Sequence, residues 1–274
     1  MTLPTGHRPD LTSGAARAPG AEPPRAVREN ADAHVPCAPA GCRRRAEEGS
    51  TRLVYVLARF VIRPLLWVLL RPRVTGRENV PLDGPVILAS NHLSFIDSIL
   101  IPTVAPRRVA LLAKAEYFTG SGISGWFTRA LFTALGAHPV ERETHRAAQA
   151  ALDTALGVLD SGLAFGIYPE GTRSRDGRLA RGKTGVAWLA LTADCPVVPV
   201  AVLGTDRVQP VDARWPRPAR VSVTFGEPLT FPEHRGLAGK GRARREVTDA
   251  IMVEIAALSG QEKAGWGASP GAAA

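Results

Sequence analysis

Two short polar segments, each following an apolar run, contain the residues best suited to chemistry. The first holds His92 and, five residues later, Asp97. The second places Glu170 and Arg173 on either side of a glycine turn. An imidazole held by a carboxylate can remove a proton from an attacking hydroxyl, and arginine binds phosphate through two N–H groups. These residue types suit transfer of an acyl group to a phosphorylated alcohol.

The spacing of His92 and Asp97 restricts where the two side chains can meet. In a continuous helix they would point roughly 140° apart, so His92 must lie in a loop and Asp97 in the first turn of a helix. The apolar run 86–89 predicts a buried strand just upstream, and Ser94 is a candidate N-cap. Ser94 and Asp97 also match a capping box, which satisfies the free N–H groups of a helix start without catalysis. The segment therefore predicts a His-Asp site at the carboxyl end of a strand, with helix capping as the alternative.

The second segment also begins where a predicted strand ends, after the apolar run 163–167. Gly171 allows backbone amides to turn toward an anion, and Arg173 adds a forked donor. A surface turn with an ordinary ion pair explains the same residues equally well. Because a base alone suffices for direct transfer, no acyl-enzyme is required, and we interpret Cys195 as a small core residue.

Four ordered blocks of the chain resemble the 1-acyl-glycerol-3-phosphate acyltransferases, the lysophosphatidic acid acyltransferases. The first block, N-H-x-S-x-x-D, is residues 91–97, and the third, [FY]-P-E-G-T-R-S, is residues 168–174. The second is residues 136–142 and the fourth is residues 198–205. The resemblance extends over roughly residues 74–229. Four blocks in this order make a specific match, whereas either outer block alone would be weak.

The resemblance implies a role for each matching residue. His92 would be the general base and Asp97 its orienting partner. The residues implied to surround the acceptor's glycerol phosphate are Arg142, Glu170, Gly171, Thr172 and Arg173. Lys114 resembles a family lysine near the reacting carbonyl and would stabilise the oxyanion; a solvated lysine after a strand is the alternative. His138 stands where relatives usually have an apolar residue, and we interpret it as an exposed substitution rather than a pocket contact.

Short apolar runs alternate with helical patterns through the rest of the chain. The predicted strands are residues 86–89, 109–113, 137–140, 164–167, 197–202 and 221–225, and the clearest helices are residues 145–159 and 184–193. This order predicts an α/β layered sandwich of a mixed, mostly parallel sheet with helices on both faces, which is also the glycerolipid acyltransferase fold that the resemblance implies. Both polar segments would then lie at the carboxyl ends of strands, where open α/β sheets bind ligands.

Composition divides the chain into four parts. They are a disordered N-terminal tail over residues 1–50, a membrane-interface helix over 51–72, an acyltransferase domain over 73–260 and a flexible C-terminal tail over 261–274. The first part is rich in proline, alanine, glycine and arginine, so it cannot bury enough apolar surface to offset the entropy of ordering. It shows no signal-peptide pattern, and Cys37 and Cys42 lack the spacing of a zinc site. Three cysteines form no disulfide framework, which indicates a reducing cytoplasm.

The apolar stretch 53–70 approaches the length of a membrane span, but Arg59, Arg63 and Pro64 interrupt it. A central arginine costs about 2.5 to 3.5 kcal/mol on insertion scales. A helix lying in the membrane interface, with Trp67 at the boundary, is therefore favoured over a span. A helix packed on the protein core is the remaining alternative.

The net charge of +9 and the pI near 10.3 indicate an acidic partner or surface. The densest basic group contains Arg235, Lys240, Arg242, Arg244 and Arg245. Positive charge beside a membrane is drawn to anionic lipid, and a solvated helix face is the alternative. We expect no nucleic acid partner, because this group has no interleaved aromatic residues and no recognition motif. The expected location is the cytoplasmic face of the cell membrane, peripheral or monotopic.

The resemblance implies an enzyme that moves a fatty acyl group from acyl-CoA or acyl carrier protein to 1-acyl-sn-glycerol-3-phosphate, giving phosphatidic acid. Its partners would be a membrane lipid surface, the lysophospholipid acceptor and the acyl donor, with no resident cofactor or metal. The alternatives are acylation of another lysolipid or lipid headgroup, and a non-catalytic lipid-binding module. His92 with Asp97 favours an enzyme, because a binding module needs no base. Arg142 and Arg173 favour an acceptor that bears phosphate.

Overall fold

A seven-stranded sheet forms the centre of the fold in a computed structural model of the chain. The structure describes residues 60, 64, 66–114, 137–140, 145–210, 213 and 216–266, and for residues 113, 114, 137–140 and 145 it describes the backbone only. All of these residues belong to one compact unit, Cys42–Ala274. The tail predicted over residues 1–50 lies outside the described residues.

The sheet is mixed and mostly parallel, as predicted. Its strands are β1 (Arg73–Thr75), β2 (Val86–Ser90), β3 (Val109–Lys114), β4 (Ala137–Val140), β5 (Ala164–Ile167), β6 (Val197–Leu203) and β7 (Ser222–Phe225). Their order across the sheet is β1-β7-β6-β2-β5-β3-β4. Every neighbouring pair is parallel except β6 and β7, which are antiparallel. All of the predicted strands form, and the short strand β1 is an addition at one edge.

Helices cover both faces of the sheet, which confirms the predicted layers. They are α1 (Asp97–Val104), α2 (His145–Asp160), α3 (Gly185–Thr192), α4 (Thr205–Val208) and α5 (Gly241–Ser259), with short 3-10 helices at Arg77–Asn79 and Pro232–His234. Alternate residues of a strand point to opposite faces, so Leu88 of β2 joins the core under α1, whereas Ile87 joins the core under α2, α3 and α5.

Burial on both faces explains why the central strands were readable from sequence. Every residue of β2 is buried, and β6 is buried through Val202. A parallel strand covered on both faces reads as a continuous apolar run rather than an alternating one. The apolar run 86–89 therefore marks the strand that lies between β5 and β6, at the middle of the sheet.

The end of the predicted membrane-interface helix is described over residues 66–70, which are helical. Leu66 and Leu70 are buried in the core under α1, whereas Val68 is 74% exposed and Trp67 is 40% exposed. This segment thus packs on the sheet with one face and presents apolar side chains on the other. No helix within the described ranges is both long and apolar enough to cross a membrane.

The chain continues to pack after α5 ends at Ser259. Residue Gly260 turns the chain in the left-handed region, with φ of 66°. Lys263 then forms a bridge with Leu179, and the indole of Trp266 is buried and donates to the Leu179 carbonyl at 2.7 Å. Over residues 261–266, the segment that was predicted to be a flexible tail packs against the loop that contains Leu179. Residues 267–274 lie outside the described part of the chain.

Candidate active site

The two polar segments meet because their strands are neighbours. Strands β2 and β5 pair in parallel, with Ala89 opposite Ile167, so the loops that follow leave the sheet at the same edge. The backbone N–H of His92 donates to Glu170 Oε1 at 3.0 Å. The His92 carbonyl accepts from the Ser174 amide at 2.7 Å. Both backbone groups of His92 are therefore fixed by the neighbouring loop.

His92 and Asp97 form the pair that their spacing predicted. The imidazole Nδ1 lies 2.9 Å from Asp97 Oδ2, and Asp97 is fully buried as the first residue of α1. The amides of Leu93 and Ser94 also donate to Oδ2, each at 2.8 Å. Since a carboxylate oxygen that receives these bonds is an acceptor, Nδ1 carries the proton. In the neutral form of the ring, the lone pair then belongs to the other nitrogen, Nε2.

The start of α1 combines both alternatives that the sequence left open. The bond from the Ser94 amide to the Asp97 carboxylate is one half of a capping box. The helix nevertheless begins at Asp97 with Ile96 at the N-cap, later than a cap at Ser94 would place it. The Ser94 hydroxyl instead donates to the Gln209 carbonyl at 2.8 Å. One carboxylate thus both closes the turn and holds the imidazole.

Tyr168 fixes the plane of the His92 ring. The two rings stack with their centroids 3.9 Å apart and an interplanar angle of 13°. The Tyr168 hydroxyl lies 3.2 Å from Ser98 Oγ on α1, which anchors the far end of the phenol ring. The His92 side chain keeps 11% of its surface exposed. Its orientation is therefore set by a hydrogen bond and a stack, while part of the ring stays accessible.

Glu170 holds the loops together. Its carboxylate is buried, and its two oxygens accept from the amides of His92 at 3.0 Å and Ala180 at 2.9 Å. Burial raises the pKa of Glu170, and the bonds from Ala180 and His92 only partly offset this rise. Glu170 was predicted among the residues around the acceptor phosphate. Both of its oxygens accept from backbone amides, and its place beside the acceptor phosphate stays a prediction.

A cavity of about 530 Å³ lies beside the His92 ring. The sheet contributes Leu111, Phe165 and Ile167 to its lining, α2 contributes Leu152, and α3 contributes Val186. These side chains are aliphatic or aromatic, and the volume lies within the range typical of ligand pockets. The cavity therefore offers an apolar ligand a place next to a titratable nitrogen.

The glycine turn contributes Gly171 and a lysine to the cavity. Gly171 adopts a φ of 73°, in the left-handed region that favours glycine, and it lines the cavity together with Lys183. Thr172 is exposed and Arg173 is half-buried, and neither borders the cavity. Sequence reasoning missed Lys183. The only signal was its place in a Gly-Lys-Thr-Gly run just before a predicted helix.

Comparison with known proteins agrees with this geometry. Residues 71–203 match the family model described as Acyltransferase. These residues are similar to this acyltransferase family, and curated relatives that the chain matches are named 1-acyl-sn-glycerol-3-phosphate acyltransferases. One such relative, the chloroplastic BAT2 protein of Brassica napus, is 30% identical over 50% of this chain and 38% of its own length. The Bacillus subtilis enzyme is 27% identical over 68% of this chain and 87% of its own length.

A solved structure shares the fold. The 1-acyl-sn-glycerophosphate (LPA) acyltransferase PlsC from Thermotoga maritima matches with a TM-score of 0.56 and 25% sequence identity. The match covers 77% of this chain and 81% of that chain. The chain spans 37% to 60% of the length of three curated relatives, from Brassica napus, Arabidopsis thaliana and Borreliella burgdorferi.

The remaining family blocks gather at the same edge of the sheet. Lys114 ends β3 and pairs in parallel with Val140 at the end of β4, and β3 pairs in parallel with β5, so the carboxyl ends of these three strands lie at one edge of the sheet. The fourth block is tied to the first through Asn91, whose side chain donates to the Val202 carbonyl at 2.9 Å and accepts from the Val202 amide at 2.7 Å. The predicted site residue Arg142 lies outside the described residues. The side chains of Lys114 and His138 also lie outside the described part of the chain.

Cys195 is a core residue, as predicted. It is buried in the core under α2 and α3, and burial raises the pKa of its thiol to about 12. Such a thiol stays protonated at neutral pH and is a poor nucleophile, because the thiolate is the reactive form.

Most of the basic group near α5 is neutralised within the protein. Arg235 pairs with Asp194 at 3.0 Å, and Arg242 pairs with Glu246 at 2.8 Å. Arg245 pairs with Asp249 at 2.6 Å. The two pairs within α5 are those of a solvated helix face, which was the alternative interpretation of the group.

Proposed function

We propose that this protein transfers a fatty acyl group from an acyl thioester to the free hydroxyl of 1-acyl-sn-glycerol-3-phosphate, forming phosphatidic acid, with His92 as general base. The main support is an imidazole that a buried carboxylate holds by Nδ1 beside an apolar cavity. The curated relatives that bear the name of this activity support the choice of acceptor.

The hydrogen bonding of His92 suits the proton transfers of this reaction. With Nδ1–H donating to Asp97, Nε2 takes the proton of the acceptor hydroxyl as its oxygen attacks the thioester carbonyl carbon. The carbon–oxygen bond forms, the carbon–sulfur bond breaks, and the imidazolium returns the proton to the departing thiolate. Asp97 stabilises the imidazolium between these events. None of these steps requires a resident metal or redox cofactor.

The apolar cavity suits an acyl chain. Each methylene group moved from water into such an environment contributes about 0.8 kcal/mol. A chain lying against Leu111, Leu152 and Phe165 would bring its carbonyl carbon toward His92. The thioester itself can belong to acyl-CoA or to acyl carrier protein, since both present the same reacting group. Lys114, at the carboxyl end of β3, is proposed to stabilise the developing oxyanion.

The acceptor phosphate is proposed to bind near the glycine turn, with Arg142, Gly171, Thr172 and Arg173 contributing. Arg173 forms no ion pair with a carboxylate in the described part of the chain. Its guanidinium is therefore available for two-point contact with a phosphate. A headgroup held there would place the glycerol hydroxyl on the side of the loop that also holds His92.

Peripheral attachment to the cytoplasmic face of the membrane suits a lipid substrate. Trp67, Val68 and Leu69 present an exposed apolar surface on a segment whose opposite face packs on the core. Exposed apolar surface of this kind is typical of a helix lying in the membrane interface.

The test replaces His92 by alanine in the full-length protein in detergent, with labelled acyl-CoA and a panel of lysophospholipids. General-base catalysis contributes about 10² to 10⁴ in rate, so turnover should fall by that factor. A matched control is His234→Ala, which removes a histidine that pairs with Glu246 and does not line the cavity. The thermal unfolding midpoint shows whether both variants are folded.

Three outcomes would contradict parts of this proposal. Near-normal turnover of the folded His92→Ala variant would refute general-base catalysis. Label appearing only on a different lysolipid would show another acceptor. Binding of lipid by the wild-type protein without any labelled product would indicate a non-catalytic lipid-binding module.

A further inference from the structure

We propose that Lys183 binds a phosphate group of the substrate through its ammonium, as a substrate-binding residue of the cavity. This inference rests on the proposed acyl transfer between phosphate-bearing substrates. Lys183 and His92 line the same cavity, and Lys183 is the only lysine or arginine among the described lining residues. Arg173, one of the basic residues that the sequence singled out, does not border this cavity.

The lysine lies directly on the glycine turn. A β-carbon added to Gly171 would come within 2.8 Å of Lys183 Nζ and 2.9 Å of its Cε. Gly171 thus leaves room for the end of the lysine chain, and its φ of 73° turns the loop at the same point. The ammonium therefore lies where the loop after β5 opens into the cavity, close to the segment that also fixes His92.

The backbone around Lys183 is fixed on both sides. Its own amide donates to the Pro169 carbonyl at 2.8 Å. The carbonyl of Gly182, the preceding residue, accepts from Arg245 Nη1 at 2.8 Å, and a β-carbon at Gly182 would come within 2.7 Å of Met252 Cγ. Helix α5 therefore packs closely on this loop. Because the backbone is held, only the lysine side chain must be ordered when a ligand binds.

No carboxylate in the described ranges forms an ion pair with Lys183. Glu170, on the same loop, uses both oxygens for backbone amides, and the first turn of α3 contains no acidic residue. The arginines of α5 differ, since Arg242 and Arg245 each pair with an acid four residues later. An ammonium that borders a cavity and lacks an internal partner is suited to pair with a ligand anion.

A substrate phosphate can come from two sources, the phosphomonoester of the acceptor or the phosphates of a coenzyme A donor. We propose to measure equilibrium binding of labelled lysophosphatidic acid, of monoacylglycerol and of acyl-CoA to the full-length protein in detergent. The variants are Lys183→Gln, which removes the charge, and Lys183→Arg, which keeps it. Lys240→Gln is the matched control, because Lys240 is an exposed lysine at the N-cap of α5.

Loss of a charge-assisted hydrogen bond should raise the Kd for lysophosphatidic acid about 10- to 100-fold in Lys183→Gln. Monoacylglycerol, which lacks the phosphate, should bind to this variant as to the wild type. Lys183→Arg should retain most of the affinity, and Lys240→Gln should match the wild type. If only acyl-CoA binding falls, the contact is to a donor phosphate and the phosphate-binding role still stands.

Equal affinity of wild type and Lys183→Gln for all phosphate ligands would overturn the inference. So would an equal loss of monoacylglycerol binding, which would show damage to the cavity rather than loss of a phosphate contact. Should Lys183→Gln fail to fold, Lys183→Arg and Lys183→Met give the same comparison. A wild-type protein that binds lysophosphatidic acid through Lys183 but forms no phosphatidic acid would refute the proposed reaction while leaving this contact in place.

Discussion

Replacing Asp97 by asparagine separates two properties of its carboxylate, hydrogen-bond acceptance and negative charge. Its Oδ2 accepts from His92 Nδ1 at 2.9 Å and from the amides of Leu93 and Ser94 at 2.8 Å each. Its Oδ1 is buried and has no hydrogen-bond partner within the described residues. Backbone amides only donate, so they require an oxygen at the Oδ2 position. The asparagine should therefore place its oxygen there and its NH₂ group at the Oδ1 position.

This arrangement predicts a moderate loss of turnover. His92 keeps its tautomer, because Nδ1–H still finds an oxygen, and the variant loses only the charge that stabilises the imidazolium. A hydrogen bond to a charged group contributes about 1.5 to 3 kcal/mol, which corresponds to a fall in kcat of about 10- to 150-fold. Where the same substitution reverses the tautomer, as in the serine-protease triad, the loss is about 10⁴-fold. Stability should fall by about 1 to 3 kcal/mol, since the buried NH₂ group lacks an acceptor.

The assay is steady-state turnover of labelled acyl-CoA with saturating lysophosphatidic acid, together with urea unfolding of each variant. Asp97→Ala is the contrasting variant, because it leaves the Leu93 and Ser94 amides without an acceptor and should cost more stability than Asp97→Asn. Unchanged kcat in Asp97→Asn would show that the charge takes no part in catalysis. A loss as large as that of His92→Ala would show that the two amides do not select the oxygen, and would refute the reasoning.

Two further variants test the neighbouring loop. Glu170→Gln replaces the carboxyl by a neutral group of similar shape, which has one acceptor oxygen for two amides as the protonated carboxyl does. Because burial raises the pKa of Glu170, the wild type should match this variant in free energy of unfolding below the ordinary pKa and become less stable than the variant as pH rises through the raised value. Urea unfolding across pH checks this statement, and a wild type that gains stability over the variant as pH rises would contradict it. Arg173→Ala should raise the KM for lysophosphatidic acid far more than the KM for acyl-CoA, and equal effects on both would exclude a contact with the acceptor phosphate.

The fold was predictable from sequence where local pattern and burial agree. Apolar runs such as 86–89 and 164–167 predicted central strands, because a strand buried on both faces is a continuous apolar run rather than an alternation of apolar and polar residues. Strand β1 (Arg73–Thr75) was not predictable, since it is three residues long at the sheet edge with an exposed, charged first residue. The order of the strands also required the structure, because pairing of β2 with both β5 and β6 is not encoded in any short segment.

The residues of the site also divide into those that were predictable from sequence and those that were not. The spacing of His92 and Asp97 permitted contact only across a helix start, and the contact is present at 2.9 Å. The function of Glu170 was not readable, because it depends on an amide 78 positions earlier in the chain. Lys183 was missed for a similar reason: its relation to Gly171 arises only when α5 presses the loop against the turn. Residues that act through the backbone of a distant segment leave no local pattern to detect.

Residues 261–266 support the site, because they hold two of the site loops at once. Gln261 accepts from Asn91 Nδ2 at 2.7 Å and donates to the Gly177 carbonyl at 2.7 Å. Asn91 immediately precedes His92, and Gly177 lies in the loop that begins with the glycine turn. The Trp266 indole also holds the second of these loops, because it donates to the Leu179 carbonyl. A base placed on a loop needs such support, since loops move more than the strands they follow. Here Gln261 and Trp266 provide it.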